Sequence, residues 1–369
     1  MKRERFLSEF KSIIVIITCA FCFTCEDHTT NPYQNSEVEL CYRKLDSNSR
    51  WQIFTNNRFG NNQKNISNNP FDDAYNPLWT PDGKYIAFRY DRENAGGCDI
   101  YLYDNTNNSK INVTSDFEIG ESAYPILWSP DSEKLIYHYH KMGEPFYYYI
   151  MNSDGTEKQI LFETESVYFI DFSDHGNSLL YTKDELLYRI NIATKSSELI
   201  LDFKENSVYP AWVDGYDPIN HTVLCHEDSS SWNGGATFLI KRINLTTKKS
   251  DTLVIAENGI KFLRPVFSRE YSKVAYIERD YENDISKIIL LDDSEKTELN
   301  RLTDENESYS FYNIEFSPNN TYITYTLSEN IPGEVMRSYS YVYVLNISTK
   351  ETRLIDQAED SHWNPLINF

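Results

Sequence analysis

Along most of this chain, apolar and polar residues alternate in short runs that end at turns rich in Pro, Gly, Asn and Asp. "KYIAFRY" (Lys84 to Tyr90) and "KVAYIER" (Lys273 to Arg279) are examples. A period of two places successive side chains on opposite faces, which is the pattern of β-strands. No long segment carries apolar residues at a helical period of about 3.6, which argues against a helical bundle.

The strands recur in a fixed order. "LWTPDGKYIAF" (Leu78 to Phe88) returns as "LWSPDSEKLIY" (Leu127 to Tyr137) and "EFSPNNTYITY" (Glu315 to Tyr325). Aligned on one aromatic anchor, the series is Trp79, Trp128, Phe172, Trp212, Phe267 and Phe316, with gaps of 49, 44, 40, 55 and 49 residues. Nine residues beyond five of these anchors stands a second aromatic: Phe88, Tyr137, Tyr181, Tyr276 and Tyr325. The Trp212 unit breaks this rule, so "VDGYDPINHT" reads as an insertion and His226 falls in the aromatic slot. A second marker is a strand ending in Asn or Asp, at Asn56, Asp104, Asn152, Asn191, Asn244, Asp292 and Asn346. An Asx side chain bonds to its own turn and tolerates left-handed backbone, so it suits a hairpin corner.

Each unit therefore predicts four antiparallel strands, and four strands repeated every 40–55 residues are the signature of propeller blades. The expected fold is all-β: a seven-bladed β-propeller of four-stranded antiparallel blades, with six blades as the rival count. The first unit lacks its first strand; "ELCYRKL" is its second, "WQIFTN" its third and "QKNIS" its fourth. "WNPLI" (Trp363 to Ile367), matched to "YNPLW" (Tyr75 to Trp79), is expected to pair with blade 1 and close the ring, leaving no open edge.

The Trp-Ser/Thr-Pro-Asp-Gly turn, with "KYIAF" and "DIYLYD" after it, resembles the WD-like repeats of TolB-type β-propellers. The resemblance covers about residues 37–369 and includes the tail "NRLTD" (Asn300 to Asp304). It implies the fold far more than a function, because the same repeat serves periplasmic scaffolds, peptidase propellers and carbohydrate lyases. TolB places an α/β domain before its propeller, whereas about a dozen residues separate Cys25 from the first strand here. The envelope-complex role of TolB, with its contact to the peptidoglycan-associated lipoprotein, is therefore not carried over.

The start of the chain changes the picture of location. A basic "MKRERF" precedes the apolar run "SIIVIITCAFCF" (Ser12 to Phe23), too short to span a bilayer comfortably. This layout predicts a signal peptide over 1–24, a tether over 25–36 and the propeller over 37–369. Cys25 is the candidate for lipidation and Cys19 its rival, with simple cleavage or a retained anchor as alternatives. The expected location is the cell envelope, at the periplasmic side or surface of the outer membrane, held only by an N-terminal lipid.

Net charge is −21, and about −23 once residues 1–24, with four basic and two acidic groups, are removed. So acidic a chain is unsuited to nucleic acid and favours cationic or neutral partners. The expected partner is an envelope protein or glycan, met by a monomer, with no cofactor.

Candidate chemistry is sparse. Cys41, Cys98 and Cys225 show no CxxC spacing, and Cys41 and Cys225 fall in the small slot held by Ala87 and Ala275, as packing residues. His138 and His140 share a strand face and form a possible metal pair, against the plainer reading of a solvated or interblade face. His226 reads as a packed structural histidine and His362 as a surface residue. There is no GxSxG elbow and no HExxH, and "NSDGTE" (Asn152 to Glu157) reads as a turn and not as a calcium loop. Neither a catalytic residue nor a metal ligand is assigned.

The long connections point to one face as the binding side. They include "HEDSSSWNGGATF" (His226 to Phe238) and "SENIPGEVMRSYS" (Ser328 to Ser340). Loops on a rigid scaffold commonly carry binding. Acidic residues there (Asp116, Glu118, Glu121, Glu163, Asp356, Glu359 and Asp360 among them) suggest an acidic ring around the channel mouth. The expected contact residues are Trp232, Asp228, Glu227, Phe146, Tyr339 and His140. The expected function is a non-catalytic envelope lipoprotein displaying a propeller for protein or glycan contact; a metal-assisted carbohydrate lyase is the alternative.

Overall fold

A computed structural model describes residues 38–366, except 93–95, 164–166, 205–210, 229–237, 257–258, 304–308 and 331–337. The signal peptide, the tether, Cys19, Cys25 and Trp232 lie outside the described residues.

Among the described residues, twenty-eight strands form six sheets. Sheet I, in spatial order, is Glu359–Trp363, Leu40–Leu45, Trp51–Asn56 and Lys64–Asn65. Sheet II has eight strands, in two runs of four. The first is Ala74–Trp79, Tyr85–Asp91, Cys98–Asp104 and Ser109–Asn112; the second is Glu121–Trp128, Lys134–Lys141, Tyr147–Asn152 and Gln159–Glu163. Sheet III runs Tyr168–Ser173, Ser178–Lys183, Leu186–Asn191 and Ser197–Asp202. Sheet IV runs Ala211–Asp217, Thr222–Asp228, Phe238–Asn244 and Ser250–Ile255. Sheet V runs Ile260–Phe267, Lys273–Asp280, Ile285–Asp292 and Glu295–Thr303. Sheet VI completes the set with Tyr309–Phe316, Tyr322–Asn330, Ser338–Asn346 and Thr352–Asp356. This is an all-β propeller of four-stranded antiparallel blades.

The blade count departs from the expected seven, and from six: five sheets stand alone and the sixth has eight strands. One parallel pair, Cys98 with Ser122, fuses its two halves. Gly97 makes the fusion possible. A Cβ there would sit 1.9 Å from the Glu121 carbonyl oxygen, so only glycine lets the two backbones meet.

Register corrects the sequence reading twice. Trp79, Trp128, Phe172, Phe267 and Phe316 pair with Ile86, Leu135, Leu179, Val274 and Ile323. The matching pair in sheet IV is Tyr216 with Val223, so the anchor is Tyr216 and not Trp212. "YDPIN" is then the ordinary turn and the supposed insertion disappears. Cys225 takes the aromatic slot and Leu224 the small slot, against the expectation of His226 and Cys225. Packing agrees: Cys225 clusters with Tyr216, while Leu224 packs on Phe262, Val274 and Tyr276 of the next sheet.

The closing strand is also displaced. It is Glu359–Trp363, with Trp363 paired to Leu40, and "WNPLI" begins at the anchor and enters the turn. Trp363 and Leu40 share a cluster with Val344 of sheet VI, which joins the two ends of the chain to their neighbour. Hydrophobic clusters of this kind lie between successive sheets; Ile136 and Tyr148 of sheet II, for example, pack with Phe172 and Tyr181 of sheet III.

Four of the seven Asx corners cap their own turns, while Asn152 and Asp292 instead accept from Lys134 and Lys273. Asp104, Asn191, Asn244 and Asn346 each accept backbone N–H bonds from residues two or three further on. "NSDGTE" is a turn, with the Asp154 carboxylate taken by Thr156. Among the described residues no helix is long and apolar enough to cross a membrane.

Candidate functional site: the axial channel

The first strand of every blade lines a central channel, and all carry a bulge or register shift at the same place. A bulge bends a strand and re-aims the side chains beside it. Asn76, Arg264, Asn313 and Asp360, each three residues before its anchor, adopt left-handed backbone there. The bulges divide the channel into a mouth, a waist and a base.

The mouth carries a feature the sequence reading missed. Four residues before the anchors stand Tyr75, Tyr124, Tyr168, Trp212, Leu263, Tyr312 and Glu359. They pair with Arg89, His138, Thr182, His226, Ile277, Thr326 and Arg43, which proves the slots equivalent. Five of the seven are aromatic, yet Tyr168, Trp212 and Tyr312 are 61%, 51% and 40% exposed. Core packing does not account for exposed rings in a repeated slot. Trp212 and Tyr168 meet edge to face at 5.9 Å across two sheets.

Elsewhere on the rim the rings are held by cations. Arg43 lies over Trp51 and Tyr75, at 4.8 and 5.2 Å, and Arg89 over Tyr75 and Tyr124, at 4.7 and 4.6 Å. Tyr124 then meets His138, which stacks on Phe146 at 5.1 Å, and Phe146 stacks on His140 at 4.6 Å. Each such contact contributes about 0.5–1.5 kcal/mol, enough together to hold the rim in place.

Of the expected contact residues, Phe146 and His140 thus come together at the end of this ladder. Tyr339 is exposed at the start of its strand in sheet VI. Glu227 and Asp228 end the second strand of sheet IV. The acids of the supposed ring are largely engaged. Asp116 pairs with Lys158, Glu118 and Glu121 with Lys141, Asp356 with Lys44, and Glu359 and Asp360 with Arg43.

The waist is a cavity of about 460 Å³ lined by Asp214, Arg264, Glu315 and His362, with Pro77, Leu78, Pro125 and Ile126 as an apolar wall. His226 Nδ1 lies 2.7 Å from Asp214 Oδ2, and His362 Nδ1 lies 3.0 Å from Glu315 Oε2. His362 is thus a channel residue and not a surface one. Crowding by protein opposes its charged form, but the charge and hydrogen bond of Glu315 outweigh this and raise its pKa. Burial raises the Asp214 pKa despite its bond to His226. His138 is lowered by burial first and then by the neighbouring His140.

The base is wider, about 1040 Å³, and is lined by residues of every first strand, from Trp79 round to Trp363. Asp171 stands among these apolar walls, its carboxylate accepting the N–H of Phe172 at 2.7 Å. Burial lifts its pKa to about 6. The histidines do not converge: His226, His362 and the His138–His140 pair have separate partners. Among the described residues, no three His, Cys, Asp or Glu side chains could hold one metal ion.

No protein-family model matches the sequence, and no curated protein matches it. Solved structures do. An oligogalacturonate lyase in complex with manganese superimposes with a TM-score of 0.57 at 14% identity, covering 86% of this chain and 84% of that one. A prolyl endopeptidase gives 0.58 at 13% identity, covering 89% of this chain but only 50% of that one, so the chain spans half its length. TolB from Acinetobacter baumannii gives 0.47 at 16% identity, covering 89% of this chain and 66% of that one. The neighbours are TolB proteins and other β-propellers, and at such identity the likeness shows the fold alone.

Proposed function

We propose that this protein is a non-catalytic, lipid-anchored envelope scaffold that binds a protein or glycan at the channel mouth. The observation that carries this reading is the aromatic rim. Five equivalent slots hold Tyr or Trp, and the three most exposed belong to sheets III, IV and VI. Large rings that are held rigid and left accessible are what binding surfaces use, because little entropy is lost on contact. Phe146, His140 and Tyr339 extend the same face, and Trp232, Glu227 and Asp228 remain candidates from the sequence alone. With so many of its acids already paired, that face would grip by stacking more than by charge, which suits a neutral ligand. Lipidation at Cys25 would hold the propeller at the envelope.

The test compares the wild-type chain with a Tyr168→Ala/Trp212→Ala/Tyr312→Ala variant. Both are assayed for retention on peptidoglycan and immobilised polysaccharides and for capture of envelope proteins. The expected result is at least a ten-fold loss of binding with an unchanged melting temperature. A variant that binds as well as wild type would exclude the rim. No binding by wild type would turn the search towards a carbohydrate lyase.

A further inference from the structure

Arg264 is misplaced by every local criterion. Its φ is +47°, in the slot where Asn76, Asn313 and Asp360 have +53°, +46° and +49°. Asn and Asp tolerate left-handed backbone through local hydrogen bonding, and arginine has no such help. It lines the waist, open to solvent, and among the described residues it makes no hydrogen bond and no ion pair, although its charge is felt by Asp214. The carboxylates of the waist have nearer partners: Asp214 with His226, Glu315 with His362, Asp360 with Arg43. A chain of net charge −21 thus keeps an arginine at the waist of its channel, facing an apolar wall. Strain retained at one point of a cavity is a marker of a working group.

We infer that the waist binds a small organic acid, its carboxylate held by Arg264 and its apolar body lying against Pro77, Leu78, Pro125 and Ile126. The planar guanidinium offers paired N–H donors that match the two carboxylate oxygens. The cavity of about 460 Å³ falls within the size range of small-ligand sites. The site does not depend on the rim, which lies nearer the mouth.

Calorimetric titration of the full chain with benzoate tests this, with benzamide as the uncharged molecule of the same shape. Benzoate is expected to bind, and benzamide at least ten-fold more weakly. Arg264→Met should weaken benzoate at least ten-fold, and the rim variant should leave it unchanged. Arg264→Asn should lose benzoate while raising the melting midpoint by about one to three degrees, because strain is released. The inference is overturned if benzoate does not bind, if benzamide binds equally, or if Arg264→Met keeps wild-type affinity. A lower midpoint for Arg264→Asn would also overturn it, by showing that the arginine serves the fold.

Discussion

At the scale of single residues, the channel places titratable groups where their ionisation bears on stability. Asp171 is the clearest case, since its native pKa of about 6 stands above the ordinary value of 3.8. The native state therefore holds the proton more tightly than the unfolded chain. Stability falls as pH rises from about 4 to about 6 and is level beyond. The loss is about 3 kcal/mol. Asp171→Asn should remove that fall, so its melting temperature at pH 7 should exceed that of wild type while the two converge near pH 4. Equal melting temperatures across the range would show that water in the channel solvates the carboxylate fully.

His362 carries the opposite sign. Its pKa is raised in the folded state, so its bond to Glu315 contributes stability that is fully present below the unfolded value near 6.5. That contribution is lost as pH rises through the folded value. Both side chains are partly exposed, so solvent screening keeps it under about 1 kcal/mol. His362→Gln should flatten the decline in melting temperature above pH 6.5, with little change at pH 8.5. A variant that declines as steeply as wild type would remove His362 from the account.

At the scale of strands, the second and third strands and their turns were legible in the sequence, and the first strands were legible only in outline. Alternation and Asx corners mark a strand by its own residues. A bulge adds a residue inside the first strand and breaks the count. Aromatics then occur both at the anchor and four residues before it, so Trp212 and Tyr216 competed for one position and the wrong one was taken. Misplacing Trp212 hid the rim, since the spacing Tyr75/Trp79, Tyr124/Trp128, Tyr168/Phe172 and Tyr312/Phe316 was visible throughout. The closing strand escaped for another reason. Glu359, Asp360 and Ser361 are polar, and the first two are acceptable in a strand because Arg43 pairs with both. Neither Arg264 nor Asp171 could be singled out, because backbone strain and burial are not written in residue type. The corrected register has a direct test. Tyr216→Ala, which empties a core position, should cost about 3–5 kcal/mol in denaturant unfolding. Trp212→Ala should stay within about 0.5 kcal/mol. Reversed values would restore the original alignment.

At the scale of the whole molecule, function and closure use the same strands. The residues that line the channel are the innermost of each blade, so ligand contacts and the packing of one sheet on the next are separated by only one or two positions. Acidity serves the molecule more than any one face, since much of the negative charge at the mouth is already matched by lysine and arginine.

The sheet shared by both ends of the chain has a further consequence, in time instead of space. Arg43 meets Glu359 across 316 residues of sequence, and Tyr42 meets Asp356 across 314. Neither contact can form until the chain has been made as far as Asp356 and Glu359. Bringing such distant partners together is entropically costly and slow. The ring must therefore stay open until then, with the Leu40–Leu45 strand waiting for its second partner, Glu359–Trp363. Once joined, neither end can peel away without breaking a pairing that holds the other.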